Sequence, residues 1–141
     1  MIKPVFDESK KQEFYDWLSP RADIETDDYE IIGFVDEENN TVGAILFCNY
    51  DGNNIYVHTA ADTPKAVQRR YIKLMFNYIF NEKKCQRVTT ICLPEKIRSK
   101  KLIEGIGFKQ EGLLKNYLKK ENKLHDLIVY GMQREECIWV S

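Results

Sequence analysis

His58 is suited to proton transfer. An imidazole has an unperturbed pKa of about 6.5, so it can accept or release a proton near neutral pH. His58 lies in the run 55–59, which alternates as a strand does. Alternation places it on the same face as Tyr56 and opposite Val57. Two interpretations are open: a general base, or a half-buried strand histidine that is hydrogen-bonded to a neighbour.

Three cations, Lys65, Arg69 and Arg70, cluster where the residue spacing predicts the start of a helix. Positive charges there oppose the helix dipole by about 0.3–1 kcal/mol each, so they need a compensating partner. Each cation can bind a phosphate oxygen through a charge-assisted hydrogen bond. The cluster is therefore either an anion-binding site or a solvated helix turn whose charges pair with nearby carboxylates.

The cysteines indicate neither a metal site nor a disulfide framework. They are scattered, without a Cys-x-x-Cys pair or a histidine at metal-ligand spacing. The four are Cys48, Cys85, Cys92 and Cys137. In intracellular chains such residues are typically reduced and buried. We expect four free thiols and no bound metal.

Length and composition limit the classes of protein that fit. A chain of 141 residues is the size of one domain, and 43% hydrophobic with 30% charged residues is typical of a soluble globular protein. A net charge of −1 argues against a dedicated nucleic-acid binder. No stretch has the roughly 20 apolar residues of a membrane span, and the first residues lack the apolar core of a secretory signal. We expect a cytoplasmic protein without a membrane or nucleic-acid partner.

Hydrophobic periodicity predicts the elements that must position these side chains. The first half of the chain predicts a strand, a helix and a three-stranded meander. The helix begins with a capping box formed by Ser9 and Gln12 and ends at Pro20, before an aperiodic loop at 21–28. The predicted strands are 2–6, 29–35, 41–48 and 55–59.

In the second half of the chain the hydrophobic period changes to that of a helix. Apolar spacing predicts a helix that begins at Val67, and Pro94 opens another helix that Gly107 caps. Strands are predicted at 87–93, 108–119 and 124–132, and Trp139 in the tail is expected to dock back on the domain. The order β-α-βββ-α-β-α-ββ indicates a mixed α/β sheet.

The segment from Arg98 to Leu118 resembles the helix-to-strand segment of GNAT-type N-acetyltransferases. The matching residues are Ser99, Leu102, Gly107, Phe108, Glu111, Gly112 and Lys115. The runs NYIFNEKKCQRVTTIC and HDLIVYGMQREECIW are similar to the branch that acetylates protein N-termini. The Arg-Glu-Glu-Cys-x-Trp ending is similar to small GNAT-like proteins of phage and prophage genes.

The resemblance implies a single GNAT domain over residues 1–141. Its sheet would be mixed and mostly antiparallel, with six to seven strands, flanking helices and a V-shaped splay between two central strands. The implied activity is acetyl transfer from acetyl-CoA to a primary amine of a protein N-terminus or a small molecule, by direct attack of the amine.

Several positions are implied to contact acetyl-CoA. The cofactor would lie between strands 55–59 and 87–93, paired with the strand backbone at Val57 and Thr59. Lys96 and Ser99 would lie near the cofactor or substrate, and the pyrophosphate would sit on the loop before the second helix. The implied loop residues are Lys65, Ala66, Val67, Gln68, Arg69 and Arg70.

The sequence departs from the family pattern close to this chemistry. Ala66 and Gln68 stand where the pyrophosphate loop has glycine or another small residue. Lys96 replaces an Asn, and Ile103 stands where many members place a Tyr that protonates the leaving thiolate. A non-catalytic GNAT-like protein that binds a protein partner or another ligand therefore stays an alternative.

Within the resemblance, His58 is the first candidate for the base that deprotonates the amine, and Glu30 is the second. The other interpretation of Glu30 is an ordinary edge-strand carboxylate. If Trp139 is exposed together with Ile138 and Val140, the tail would allow a homodimer to form, since exposed apolar surface recruits partners.

Overall fold

The computed structural model of the protein describes residues 1–140, in which helices cover both faces of a seven-stranded sheet. The helices are α1 (Lys11–Ala22), α2 (Arg69–Phe76) and α3 (Ile97–Ile106). The strands are β1 (Lys3–Val5), β2 (Tyr29–Val35), β3 (Thr41–Cys48), β4 (Asn54–Ala61), β5 (Arg87–Cys92), β6 (Lys109–Lys120) and β7 (Lys123–Gln133). A π-helical turn (Asn77–Glu82) continues α2.

The strands are ordered β1-β2-β3-β4-β5-β7-β6. Every neighbouring pair is antiparallel except β4 and β5, which run parallel. Parallel neighbours need a long crossover connection, and α2 with its π-helical turn supplies it. The predicted mixed, mostly antiparallel sheet of six to seven strands is confirmed.

Two apolar clusters hold the helices against the sheet. The larger lies on the face covered by α2 and α3, where Phe76 and Phe80 are fully buried. The smaller packs Leu18 of α1 against β3. α1 also approaches β2 so closely that a Cβ at Gly33 would stand 2.4 Å from the ring of Phe14. Only glycine leaves room for that contact.

Both predicted ends of α1 are wrong by part of a turn. Asp7 rather than Ser9 provides the cap: its carboxylate accepts the backbone N–H of Ser9 at 2.9 Å and begins a 3₁₀ turn (Glu8–Lys10) that leads into α1. Pro20 lies inside α1, where so close to the end it removes only one backbone hydrogen bond. The helix stops at Asp23, which has a left-handed φ of 56° and donates its N–H to the carbonyl of Ser19.

The starts of α2 and α3 lie later than the sequence predicts. A 3₁₀ turn (Pro64–Ala66) precedes α2, which begins at Arg69 because Val67 has a non-helical ψ of 73°. Pro94 lies in a turn, and α3 begins only at Ile97.

The C-terminal tail docks on the larger core, as predicted. The indole N–H of Trp139 donates to the carbonyl of Ile106 at 2.8 Å. Trp139 is half-buried, so the exposure required for a tail-mediated homodimer is not met there, although Ile138 is exposed. The predicted cap of α3 is confirmed by the φ of 123° at Gly107.

Candidate functional site

A splay lies between β4 and β5, the two parallel strands. They pair over only three residues each, and the last pair is Tyr56 with Thr89. At the apex the hydroxyl of Thr90 donates to the carbonyl of Val57 at 2.6 Å, so a side chain replaces the next bond of the ladder. By strand alternation the backbone of Thr59 faces the same gap. The predicted V-shaped splay is confirmed.

His58 lies on β4 and is 6% exposed. Its ring centroid is 6.4 Å from that of Tyr56, which shares its face of the sheet as alternation predicts. The imidazole makes no hydrogen bond to another of residues 1–140, and burial alone lowers its pKa to about 4. His58 is therefore neutral at neutral pH.

A narrow cleft with a cavity of about 40 Å³ opens at the ends of β4 and β5. Its lining brings together four candidate residues, His58, Thr59, Lys96 and Ser99. The cavity holds about three water molecules, at roughly 10–15 Å³ each. A larger depression of about 330 Å³ lies at the C-terminal tail, but no candidate residue lines it. The cleft is therefore the candidate site.

Glu30 does not reach this cleft, which corrects its assignment as a second base. Its carboxylate accepts the hydroxyl hydrogen of Tyr78. The Tyr78 ring packs on Phe47, a residue of the core beneath α2. Glu30 therefore lies on the opposite face of the sheet from His58.

The loop 63–70 joins β4 to α2 and carries the predicted anion-binding residues. Thr63 caps its 3₁₀ turn by accepting the N–H of Lys65, whose side chain is exposed. Ala66 is buried against β3, away from solvent. Gln68 folds back on the loop, where its amide donates to the carbonyl of Lys65 at 2.7 Å. Neither Ala66 nor Gln68 therefore extends its side chain across the cleft.

The first turn of α2 has unpartnered donors. The backbone N–H groups of Gln68, Arg69 and Arg70 make no hydrogen bond within residues 1–140, as is usual for a helix start. The guanidinium of Arg70 donates to the Gln68 side chain at 2.9 Å and to the Tyr71 hydroxyl at 3.0 Å. That of Arg69 lies 5.1 Å from the ring of Trp139. These donors and cations together can hold a phosphate.

An ion-paired cluster lies at the rim of the cleft. Asp23 accepts a hydrogen bond from Lys96 Nζ at 2.5 Å and another from Lys120 Nζ, and its side chain is 7% exposed. Burial raises the pKa of Asp23, but the hydrogen bonds from Lys120 and Lys96 outweigh burial and lower it overall. The carboxylate is therefore charged at neutral pH.

Sequence reasoning missed Asp23, Lys120 and Thr90. Asp23 lies in a segment without periodicity and Lys120 at a polar hairpin end, so neither pattern indicates that they meet. Thr90 did leave a signal, because Thr89 and Thr90 are consecutive polar residues in an otherwise apolar strand.

The family model of the acetyltransferase (GNAT) domain matches residues 2–129. The chain belongs to the GNAT acetyltransferase family. The predicted family and fold are thereby confirmed, and the splay of this GNAT domain is the gap between β4 and β5.

Two proteins of Bacillus subtilis (strain 168) are similar to this GNAT chain. The uncharacterized N-acetyltransferase YnaD is 28% identical over 104 residues, which are 71% of this chain and 61% of YnaD. The SPbeta prophage-derived uncharacterized N-acetyltransferase YokL is 28% identical over 126 residues, which are 86% of this chain and 70% of YokL. The chain thus spans less than two thirds of the length of YnaD.

Solved structures share the GNAT fold. An acetyltransferase (GNAT family) from Bacillus anthracis has a TM-score of 0.63 at 26% identity, over 75% of this chain and 67% of that one. The spermidine/spermine N-acetyltransferase SpeG from Vibrio cholerae has a TM-score of 0.73 at 13% identity, over 96% and 95%. The second likeness supports the fold alone.

No helix within residues 1–140 combines the length and the apolar character that a membrane span requires. The same residues contain no group of three or more side chains placed to ligate a metal ion.

Proposed function

We propose that this protein transfers the acetyl group of acetyl-CoA to a primary amine. The observation that carries the proposal is the splay between β4 and β5, which leaves the β4 backbone beyond Tyr56 without a strand partner on that side. An extended ligand can pair with such an edge. Membership of the GNAT family supports acetyl transfer to an amine in general.

The segment 63–70 follows the end of β4 and includes the first residues of α2, and we name it the donor end. Acetyl-CoA, when bound, supplies the acetyl thioester. The unpartnered N–H groups of residues 68–70 and the side chains of Lys65 and Arg69 bind phosphate oxygens. The loop needs no glycine for this, because Ala66 faces the core and Gln68 folds onto Lys65. The residues of this segment therefore fit the phosphates of the cofactor.

His58 is the proposed acceptor of the amine proton. The acceptor must lose a proton so that its amine nitrogen has a free lone pair for the attack. The His58 ring is unprotonated and free of hydrogen bonds within residues 1–140, so it can take that proton. Its pKa of about 4 also makes it a weak base. His58 therefore holds the proton only in passing and releases it to water at the mouth of the cleft.

The remaining functional assignments rest on the relatives and on the chain's own residues. We propose a protein N-terminus or a small molecule as the source of the amine, and a phage or prophage origin like that of YokL. Four free cysteines agree with a reducing cytoplasm. Homodimer formation stays a prediction for sedimentation at tens of micromolar.

Calorimetric titration with acetyl-CoA, and separately with CoA, tests the donor end. We expect micromolar binding that weakens roughly a hundredfold in the double variant Lys65→Ala/Arg69→Ala, since each charge-assisted bond contributes about 1.5 kcal/mol or more. The control is Lys115→Ala/Lys119→Ala, which removes two exposed charges of β6 and should bind as the parent does. Binding followed by acetylation in a screen of amines completes the test.

The second candidate function is a non-catalytic GNAT-like protein that binds a partner. The cavity of about 40 Å³ favours it, because that space is too small for an extended cofactor arm. No heat and no thermal stabilisation with millimolar acetyl-CoA would overturn the enzyme proposal and support this one.

A further inference from the structure

Asp23 already holds two ammonium groups at the rim of the cleft. Lys96 Nζ lies 2.5 Å from one carboxylate oxygen, and Lys120 Nζ donates to the other. The left-handed backbone of Asp23 ends α1 and turns its side chain inward, where it is 7% exposed. A buried carboxylate with both oxygens engaged by amines is a site built for ammonium groups.

The two lysines are held to different degrees. Lys96 also donates to the carbonyl of Arg21 at 2.7 Å, so two groups fix its position. The ammonium group of Lys120 has Asp23 as its one hydrogen-bond partner within residues 1–140. Lys120 also stands next to the hairpin turn at Glu121 and is 38% exposed. Lys120 is therefore the ammonium group that can leave.

This cluster adjoins the candidate base. Asp23 and Lys96 line the same cleft as His58, together with Thr90 at the apex of the splay. The cavity there is about 40 Å³, and the link from Asp23 to Lys120 joins the end of α1 to the β6–β7 hairpin beside it. Release of Lys120 would free one oxygen of the Asp23 carboxylate.

We propose that Asp23 binds the ammonium group of the acceptor and that Lys120 occupies this place until the acceptor displaces it. The inference rests on the proposed function, for which it names an acceptor class. Exchange of one ammonium group for another leaves the charge of the cluster unchanged. Because the present occupant is a lysine ε-ammonium, the acceptor is a small molecule with a primary amine on a flexible alkyl chain, such as an alkylamine, rather than a protein N-terminus. Asp23, Lys96 and Lys120 are named the acceptor end of the cleft.

Titration of n-pentylamine into the CoA-saturated protein, followed by calorimetry, tests this. An internal competitor lowers apparent affinity by the fraction of sites left free. Lys120→Ala should therefore bind the amine at least fivefold more tightly than the parent. Asp23→Asn, which keeps a residue that tolerates the left-handed backbone, should bind at least tenfold more weakly. Lys119→Ala removes an exposed neighbouring charge and should change nothing.

Misfolding cannot make the protein bind the amine more tightly. Tighter binding by Lys120→Ala would therefore support the proposal directly. Unchanged or weaker amine binding by Lys120→Ala overturns the proposal, and so does unchanged binding by Asp23→Asn. Alaninamide, whose amine adjoins a branched carbon, should bind more weakly than n-pentylamine; equal binding overturns the assigned acceptor class. If CoA itself does not bind, the proposed function fails, and the same amine titration into the free protein still tests Asp23.

Discussion

The donor end and the acceptor end of the cleft differ in how the chain supplies their charged groups. At the donor end Lys65 and Arg69 lie four residues apart, in the loop before α2 and at the first residue of α2. Both are exposed beside main-chain donors. At the acceptor end Asp23 is buried and meets Lys96 and Lys120, which lie 73 and 97 residues away in the chain. One end is local in sequence and exposed, whereas the other is assembled by the fold around a largely buried carboxylate.

The difference predicts which substitutions change only ligand affinity and which also change the stability of the fold. Within residues 1–140 the side chains of Lys65 and Arg69 make no hydrogen bond or ion pair, and Arg69 has only its contact with Trp139, so their removal should change affinity and little else. The acceptor end ties together the end of α1, the turn before α3 and the end of β6. Changes at the acceptor end should therefore alter the fold as well as the ligand.

His58, on the buried side of the cleft, should give the largest effect. Burial lowers its pKa from 6.5 to about 4. Between those pH values the unfolded chain binds more protons than the folded one, so acidification favours unfolding. Relative to the variant His58→Gln, the free energy of unfolding should fall by about 3 kcal/mol between pH 7 and pH 4. Urea unfolding of both proteins at the two pH values measures this.

The matched control for His58 is His125→Gln. His125 is half-buried, and its Nδ1 lies 3.0 Å from the carboxylate of Glu95. It is not among the residues that line the cleft. This variant should keep the full loss of stability on acidification. Parallel pH dependence in the parent protein and His58→Gln would show that water reaches His58, and the cleft beside the acceptor end would then be no more buried than the donor end.

Asp23→Asn should give the next largest effect, now at pH 7. Hydrogen bonds from Lys120 and Lys96 lower the pKa of Asp23 despite its burial. Its contribution to stability is thus present above the ordinary pKa of a carboxyl group and is lost as pH falls through the folded-state pKa. Loss of the charge should cost about 1–2 kcal/mol, less than a fully buried pair because both lysines are partly exposed.

Lys65→Gln is the donor-end counterpart of Asp23→Asn. It removes one exposed charge and should change the free energy of unfolding by less than about 0.5 kcal/mol. Equal losses in the two variants, measured by urea unfolding, would contradict the division into a local end and an assembled end.

The same contrast explains which parts of the site could be predicted from the sequence. The donor end was predictable because its cations are neighbours in the chain, and His58 because strand alternation is a local rule. The partners of Asp23 were not, since only the strand order and the left-handed turn after Pro20 bring them together. Glu30 shows the same limit: its strand was predicted correctly, but not the face on which its side chain meets Tyr78.

Added salt should give the smallest effect and separates the two ends directly. Between about 0.1 M and 1 M salt the Debye length falls from roughly 10 Å to 3 Å, which screens exposed charges far more than buried pairs. CoA affinity, measured by calorimetry, should therefore fall severalfold because Lys65 and Arg69 are exposed. The stability difference between the parent protein and Asp23→Asn should change by less than about 0.5 kcal/mol over the same range.

If CoA affinity is insensitive to salt, the main-chain donors of α2 rather than the cations hold the phosphates. If salt removes the stability difference between the parent protein and Asp23→Asn, water reaches the acceptor end. The contrast between an exposed donor end and a buried acceptor end would then fail.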